Sequence, residues 1–240
     1  ARLMMEEMIN LRKELGNIKN GLSTRISLGV LPMVSLTLIP ELVVKLESDM
    51  VSAQVEIQEG TSDTLLNLLK SNAVDFIIGN MNKKPKATDI SSEFLFQDQM
   101  CIAVRQSHPL AKVEKVQWSS LSGYSMILPP EFAISRMAIE EVLSINNVEF
   151  SHHYVESLSA LSNIGILLKT DALGFVPRSV AQYFVERESI RILPLSLQNV
   201  TIDIGIFWLA EQKLTPSLQK IIELLKLSVP KFNECGQSMR

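Results

Sequence analysis

Short apolar segments of strand type alternate with helical segments along most of the 240-residue chain. In the first half, the strand-type segments are residues 26–30, 55–57 and 75–79. The helical ones are residues 36–46 and a segment with Leu65, Leu66, Leu68 and Leu69, which follows the helix-capping residue types of 60–63. The segment 75–79 is almost continuously apolar, which is typical of a parallel sheet covered by helices on both faces. This β-α-β-α-β order predicts a doubly wound α/β fold, with Pro40 in the first turn of its first helix.

The second half of the chain repeats the alternation. Separate strands are predicted at residues 94–96 and 100–104, and a helix over residues 131–145 follows a strand that ends before Pro129 and Pro130. Ser157 is predicted to cap the next helix, and Pro177 to end another strand. The fold expected is α/β with two Rossmann-like lobes, residues 23–98 with 204–240 and residues 99–203, sharing crossover strands. Such lobes enclose a cleft at the carboxyl ends of their strands, where open α/β sheets bind small ligands.

The first 22 residues carry a different pattern, in which apolar side chains recur with alternating spacings of four and three. This heptad seam predicts a helix that pairs with another chain, although an amphipathic helix lying on its own domain has the same pattern. The seam consists of Met4, Met8, Leu11, Leu15, Ile18 and Leu22.

Charge and cysteine content narrow the possible functions. Lys plus Arg is 23 and Asp plus Glu is 26, so the formal net charge is −3 and bulk charge does not draw the chain to DNA or anionic membranes. No apolar run reaches the roughly 18 residues of a membrane span. Cys101 and Cys235 stand apart and no metal-ligand spacing occurs, so we expect no metal, no cofactor and a cytoplasmic protein.

Enzyme signatures are missing from the sequence. It contains no G-x-S-x-G, G-x-G-x-x-G or P-loop motif, and its three histidines show no metal-ligand spacing. His108 precedes Pro109 and is expected in a turn, and Cys101 is expected to be a buried apolar residue of a strand. No catalytic residue is therefore predicted.

The candidate ligand contacts are the turns in which predicted strands lead into helices. Free backbone N–H groups at helix N-termini, together with hydroxyl side chains, bind carboxylates and other polar groups. Ordinary helix capping is the alternative explanation for these residues, and a solvated surface position is the alternative for Arg178. Glu131 would repel an anion, so a hydroxylated ligand remains a candidate beside a carboxylate. The candidates are Pro32, Met33, Val34, Ser35, Thr61, Ser62, Pro129, Pro130, Glu131, Ser157 and Arg178.

Six segments form an ordered set along the chain: RISLGV (residues 25–30), LIP (38–40), VEIQEG (55–60), LKSNAVDFIIG (69–79), HPLA (108–111) and DALGFVP (171–177). In their order and spacing they resemble the effector-binding region of LysR-type transcriptional regulators. The segments YSMILPP (124–130) and LGFVPRSVA (173–181) are similar to those of galactose-binding-protein regulators and protocatechuate-pathway regulators.

The resemblance implies a type 2 periplasmic-binding-protein-like fold preceded by a linker helix. It also implies a winged helix-turn-helix that precedes this sequence, as the start at Ala1 suggests, and that alone contacts DNA. Linker helices pair in the family, which implies a homodimer or tetramer. The implied effector is a sugar, a sugar acid or an aromatic or other carboxylic acid.

Family contact positions fall on residues of both predicted lobes. Many carboxylate-binding members have a small hydroxylated residue where this chain has Pro32 and Met33, so one hydrogen-bond donor is missing. A solute-binding protein of a transporter and an enzyme on the same fold remain the alternative functions. The implied contacts are Pro32, Met33, Thr61, Ser62, Pro129, Pro130, Ser157, Val176 and Pro177.

Overall fold

The computed structural model describes residues 24–49, 53–83, 89–149, 154–197, 199–212 and 214–229. The predicted helix over residues 1–22, His152, His153 and Cys235 lie outside these ranges. Nine strands occur in the described ranges: β1 Thr24–Val30, β2 Ala53–Glu59, β3 Phe76–Asn80, β4 Ile90–Arg105, β5 Met126–Leu128, β6 Tyr154–Glu156, β7 Leu173–Pro177, β8 Ile190–Ile192 and β9 Thr201–Leu209. Six α-helices accompany them: α1 Pro32–Ser48, α2 Ser62–Lys70, α3 Ile134–Ile145, α4 Ala160–Lys169, α5 Arg178–Val185 and α6 Pro216–Ser228.

The chain divides into two compact units, with divisions after residues 95 and 204. Unit 1 contains the described residues up to Leu95 and from Gly205 onward, and unit 2 contains Phe96–Ile204. Both divisions fall inside long strands, β4 and β9. The chain therefore passes from one unit to the other in extended conformation.

Unit 1 is built on a parallel arrangement of its first three strands. Strand β1 is central, pairing in parallel with β2 from Thr24↔Ala53 to Val30↔Glu59, and with β3 on its other side. Phe76 of β3 is fully buried and meets Trp208 edge to face at 6.5 Å between ring centroids. The predicted β-α-β-α-β order is present here.

Helix α1 begins earlier than the apolar pattern predicts. We expected its start near Leu36 with Pro40 in the first turn, but the first helical residue is Pro32 and Pro40 lies in the interior. Pro32 suits the first position because its missing N–H has no helical partner there and its φ is already helical. The N–H groups of Val34 and Ser35 donate to the carbonyl of Leu31, which closes the first turn.

Unit 2 has a mixed sheet. Strand β5 pairs in parallel with β6 and with β7, whereas β4 runs antiparallel to β7 and to β8. The two separate strands expected at residues 94–96 and 100–104 are one strand, β4. The polar residues 97–99 interrupt the apolar pattern but not the extended backbone, because hydrogen bonding in a ladder depends on the main chain.

Two helices of unit 2 begin later than predicted. Helix α3 starts at Ile134 rather than Glu131, because the chain after the two prolines first forms a turn in which the Ala133 N–H donates to the Pro130 carbonyl. Helix α4 is capped by Ser159 and not by Ser157. Ser157 instead donates its N–H to the Leu128 carbonyl, which extends the pairing of β6 with β5.

No helix within the described ranges is both long enough and apolar enough to cross a membrane.

Candidate functional site

Unit 1 brings two of its predicted ligand turns to one place. Val30 and Glu59 are register partners at the carboxyl ends of the parallel strands β1 and β2, and the Gly60 N–H donates to the Val30 carbonyl. The starts of α1 and α2 therefore lie side by side. We call residues 31–35 and 60–62 the unit 1 edge; it contains the candidates Pro32, Met33, Val34, Ser35, Thr61 and Ser62.

One hydroxyl of the unit 1 edge is used within its own helix. Thr61 caps α2, since its hydroxyl accepts from the Thr64 N–H at 3.4 Å, as ordinary capping predicts. No side chain caps α1, whose N-cap residue is Leu31. Val34 is fully buried in the core, so its side chain is not presented at this edge.

Unit 2 gathers the remaining candidates in the same way. Strands β6 and β7 lie on either side of β5 and both pair with it in parallel. The carboxyl ends of all three strands therefore meet at one edge of the sheet. We call residues 129–131, 157 and 176–179 the unit 2 edge. It contains the candidates Pro129, Pro130, Glu131, Ser157, Val176, Pro177 and Arg178. Val176 is buried with only 1% of its surface exposed, whereas Glu131 is exposed.

Sequence reasoning missed Arg136, a buried arginine on the first turn of α3. Its Nη1 donates to the Pro129 carbonyl and to the Glu156 carboxylate, both at 2.9 Å, and its Nε donates to Glu140 at 2.6 Å. The side chain thus joins the turn after β5 to the end of β6. The spacing of Arg136 and Glu140 indicates only a helix-surface ion pair, and nothing in the sequence marks the two longer-range partners.

Asp98 is the second missed residue. It lies on β4 with 6% of its surface exposed, and its Oδ2 accepts from the Ser179 hydroxyl at 2.5 Å. Its Oδ1 accepts from the N–H of Ser179 at 3.3 Å and of Gln99 at 2.9 Å. The N-cap residue of helix α5 is Pro177, which has no side chain that can accept a hydrogen bond. Asp98 on strand β4 therefore supplies the acceptor for the Ser179 N–H in the first turn of this helix.

The charge balance around Asp98 is unusual. Burial raises the pKa of Asp98, while hydrogen bonds from Ser179 and Gln99 and the nearby Arg178 oppose that rise. The Nε of Arg178 is buried and has no hydrogen-bond partner. Buried polar atoms rarely stay unpaired, so this donor is an exception among the described residues.

Cys101 and His108 have the structural roles that the sequence predicts. Burial, reinforced by the Asp98 charge, raises the pKa of the Cys101 thiol to about 12, so the thiolate that redox chemistry needs is not formed near neutral pH. The Nδ1 of His108 accepts from the Leu110 N–H, and its Nε2 faces the Asp171 carbonyl at 3.1 Å. Within the described part of the chain, no three His, Cys, Asp or Glu side chains are grouped as metal ligands.

Comparison with known proteins supplies the family. The sequence matches the LysR substrate binding domain over residues 19–229. It is 22% identical over 227 residues to the HTH-type transcriptional regulator GbpR of Azospirillum brasilense, covering 94% of this chain and 66% of that protein. It is 21% identical to the regulator PcaQ of Agrobacterium fabrum, covering 84% of this chain and 65% of that one. The chain thus spans about two thirds of the length of these relatives.

A solved structure shows the same fold. The regulatory domain of CcmR from Synechocystis, in complex with 2-PG, superposes with a TM-score of 0.67 at 15% identity, covering 90% of this chain and 99% of that one. The predicted α/β fold of the type 2 periplasmic-binding-protein-like class is confirmed. Relatives that are transcriptional regulators favour a regulatory domain over a transporter's solute-binding protein. This chain belongs to the LysR substrate-binding domain family and is the effector-binding domain of a LysR-type regulator.

Proposed function

We propose that this chain is the sensing part of a bacterial, cytoplasmic transcription factor, and that a small-molecule effector is contacted by the unit 1 edge and the unit 2 edge. The observation that carries the proposal is the grouping, within each unit, of strand carboxyl ends and helix starts at one sheet edge. Open α/β sheets bind ligands at such edges. The CcmR domain, which has the same fold, was solved in complex with 2-PG.

The effector is expected to act by shifting an equilibrium between two arrangements of the regulator. It does so only to the extent that it binds one arrangement better, which for allosteric proteins typically amounts to about 1–3 kcal/mol. Residues 1–22, with their heptad seam, are proposed to pair between copies in a dimer or tetramer, and light scattering of the chain measures that association. A DNA-binding segment in the whole protein is proposed to read the operator, as the names of the HTH-type relatives suggest.

The chain is proposed to sense its ligand without converting it. Three buried side chains with acid or base groups, Asp98, His108 and Arg136, are each hydrogen-bonded within the fold, and the Cys101 thiol is buried with a raised pKa. A ligand recovered unchanged after long incubation, measured by NMR, supports sensing, and the appearance of a product contradicts it.

Thermal unfolding in the presence of a ligand panel tests the proposal. The panel contains sugars, sugar acids, aromatic acids and muconate-type dicarboxylates. A ligand at 100 times its Kd adds about 2.7 kcal/mol of stability, which raises Tm by several degrees for a chain of this size.

Two variants then localise the binding site of any ligand that raises Tm. Ser35→Ala in the unit 1 edge and Arg178→Gln in the unit 2 edge should each reduce the shift in Tm. Val113→Ala is the control, because Val113 is 45% exposed and belongs to neither edge. It follows the carboxyl end of β4, which pairs with β8, whereas the carboxyl end of β7 pairs with β4 at Met100. A panel without any hit, or a hit that neither edge variant weakens, contradicts the proposal.

A further inference from the structure

The turn after β5 receives little support from the main chain. Its first two residues, Pro129 and Pro130, have no N–H groups, so they cannot continue the ladder of the sheet. The last register pair of β5 and β6 is Leu128↔Glu156, and one further N–H, that of Ser157, donates to the Leu128 carbonyl. The turn therefore begins where the hydrogen bonds of the sheet stop.

The neighbouring strand β6 is an edge strand of the described sheet. It stands at the end of the strand order and pairs with β5. All three of its residues, Tyr154–Glu156, are exposed. An edge strand of three residues forms few main-chain hydrogen bonds, so side-chain contacts contribute much of what holds it in place.

The guanidinium of Arg136 reaches both segments from the first turn of α3. Its Nη1 donates to the Pro129 carbonyl and to the Glu156 carboxylate, each at 2.9 Å. Its Cζ lies 5.3 Å from the centroid of the Tyr154 ring. The planar fork of an arginine presents its donors in fixed directions, which a lysine ammonium does not. One side chain therefore fixes the turn after β5 relative to the end of β6.

Burial keeps the guanidinium away from a ligand. The side chain of Arg136 is 5% exposed, and its charge is balanced by the carboxylates of Glu140 and Glu156. A buried charge is stable when such partners surround it. An effector at the unit 2 edge therefore meets the turn and the end of β6, and not Arg136 itself.

We infer that Arg136 is a positioning residue of the effector site. It holds residues 129–131 and the end of β6, with Ser157, in the conformation that contacts the effector, and it does not contact the effector itself. Groups that are ordered before binding favour affinity, because the ligand does not have to order them. The inference rests on the proposed function, since it assigns the residue that orders one of the two proposed edges.

Three variants separate positioning from general stability. Arg136→Lys keeps the positive charge but loses the fork that binds Pro129 and Glu156 together. Glu140→Gln is the matched control, because it weakens the ion pair within α3 and leaves the other two bonds of the arginine in place. Leu143→Ala is the second control, since Leu143 is a fully buried core residue of the same helix and its truncation removes apolar contacts only.

Amide hydrogen exchange of the full chain, without any ligand, measures the positioning directly. The N–H groups of Ala133 and Ser157 are hydrogen-bonded and report on the turn and on the end of β6. The N–H of Leu173 donates to the Ser125 carbonyl at the amino ends of β7 and β5, and reports on the opposite edge of the same sheet.

We expect Arg136→Lys to speed exchange at Ala133 and Ser157 about tenfold more than at Leu173, because a local opening exposes only the amides of that segment. Leu143→Ala should speed all three amides alike, and Glu140→Gln should leave them unchanged. Equal acceleration at the three amides in Arg136→Lys, or none, would overturn the inference, because the arginine would then not order the edge specifically.

A second arm measures binding by calorimetry well below the Tm of each variant, so that all chains are folded. The probes are galactonate and protocatechuate first, and then any other panel compound that raises Tm. The Kd should rise about tenfold in Arg136→Lys and stay unchanged in Leu143→Ala, since lost preorganisation weakens binding whereas a lower global stability does not.

The two proposals fail in different ways. If Arg136→Lys binds a panel compound as tightly as the unmodified chain, while Ser35→Ala and Arg178→Gln weaken its binding, the inference is wrong and the proposed function stands. If no panel compound binds, the proposed function fails, and the exchange rates still decide whether Arg136 orders the unit 2 edge.

Discussion

The two units bury different kinds of polar groups. In the described part of unit 1, the buried polar side chains are the hydroxyls of Ser27, Thr37 and Ser228. In the described part of unit 2 they are Asp98, His108, Arg136 and Asn163, three of which can carry charge. A hydroxyl is far less costly to bury than a charge, so the two interiors respond to different substitutions.

The partners of these groups differ as well. The hydroxyls of Thr37 and Ser228 donate to the carbonyls of Met33 and Leu224, four residues earlier on the same helix, and the hydroxyl of Ser27 donates to the Glu56 carboxylate on the neighbouring strand. Asp98, in contrast, binds Ser179, 81 residues away, on a helix. Unit 2 therefore differs in that buried side chains able to carry charge join distant segments at the edge where its candidate contacts lie.

The largest effect should come from the core of unit 1. Phe76→Ala removes a fully buried ring that packs edge to face against Trp208, and such truncations cost about 3–5 kcal/mol because the cavity does not close completely. Urea unfolding, followed by circular dichroism, gives the free energy of unfolding. Phe94→Ala is the control, since Phe94 in the same unit is 54% exposed and its loss should cost about 0.5 kcal/mol or less. Equal losses for the two variants would remove the contrast between buried and exposed rings.

A charge substitution in unit 2 should have the next largest effect. Arg136→Leu keeps an apolar stem but leaves the Pro129 carbonyl without its donor, and we expect a loss of about 2 kcal/mol in the free energy of unfolding. Glu140→Gln changes only the half-exposed partner of the same arginine, and should cost about 1 kcal/mol or less. If Arg136→Leu costs no more than Glu140→Gln, then the long-range contacts of Arg136 do not stabilise unit 2.

The smallest effect is a pH dependence that arises in unit 2. Burial lowers the pKa of His108, so the folded state holds a neutral ring while the unfolded chain takes up a proton below about pH 6.5. The stabilisation is fully present above that pH and is lost as pH falls, by at most about 1.4 kcal/mol per pH unit.

His108→Asn tests this, because the amide oxygen can accept from the Leu110 N–H without titrating. Urea unfolding at pH 7.5 and at pH 5.5 should show a larger loss of stability in the unmodified chain than in the variant. The same loss in both would mean that His108 does not contribute to the acid sensitivity of unit 2.

Local patterns predicted most of the strands and helices but misplaced several boundaries. The apolar runs identified β1, β3 and β7, since burial in a sheet requires apolar side chains whatever the partner strand. Boundaries failed where the backbone continued past a change in side-chain type. Pro32 opened α1 before its apolar stripe, and the polar residues 97–99 stayed within β4. Ser157 resembled a cap but continued the β6 ladder.

The candidate site was likewise predicted only in part. Turn chemistry and strand order predicted which segments meet at each sheet edge, because the carboxyl ends of parallel strands necessarily lie together. Neither Asp98 nor Arg136 was predicted. Their partners lie 81 and 20 residues away in sequence, and no local spacing encodes such pairs.

The sequence by itself determined the order of the elements, the absence of familiar enzyme motifs and the resemblance to a family of regulators. These follow from periodicity and from residue types along the chain, which depend on local geometry. Only the tertiary structure decided that the cap of α5 comes from β4, and that the buried side chains able to carry charge, among the described residues, lie in unit 2. The physical reason is that a charged side chain is tolerated in the interior only where folding brings hydrogen-bond and ion-pair partners to it. Those partners come from distant parts of the chain, so no single segment of the sequence specifies them.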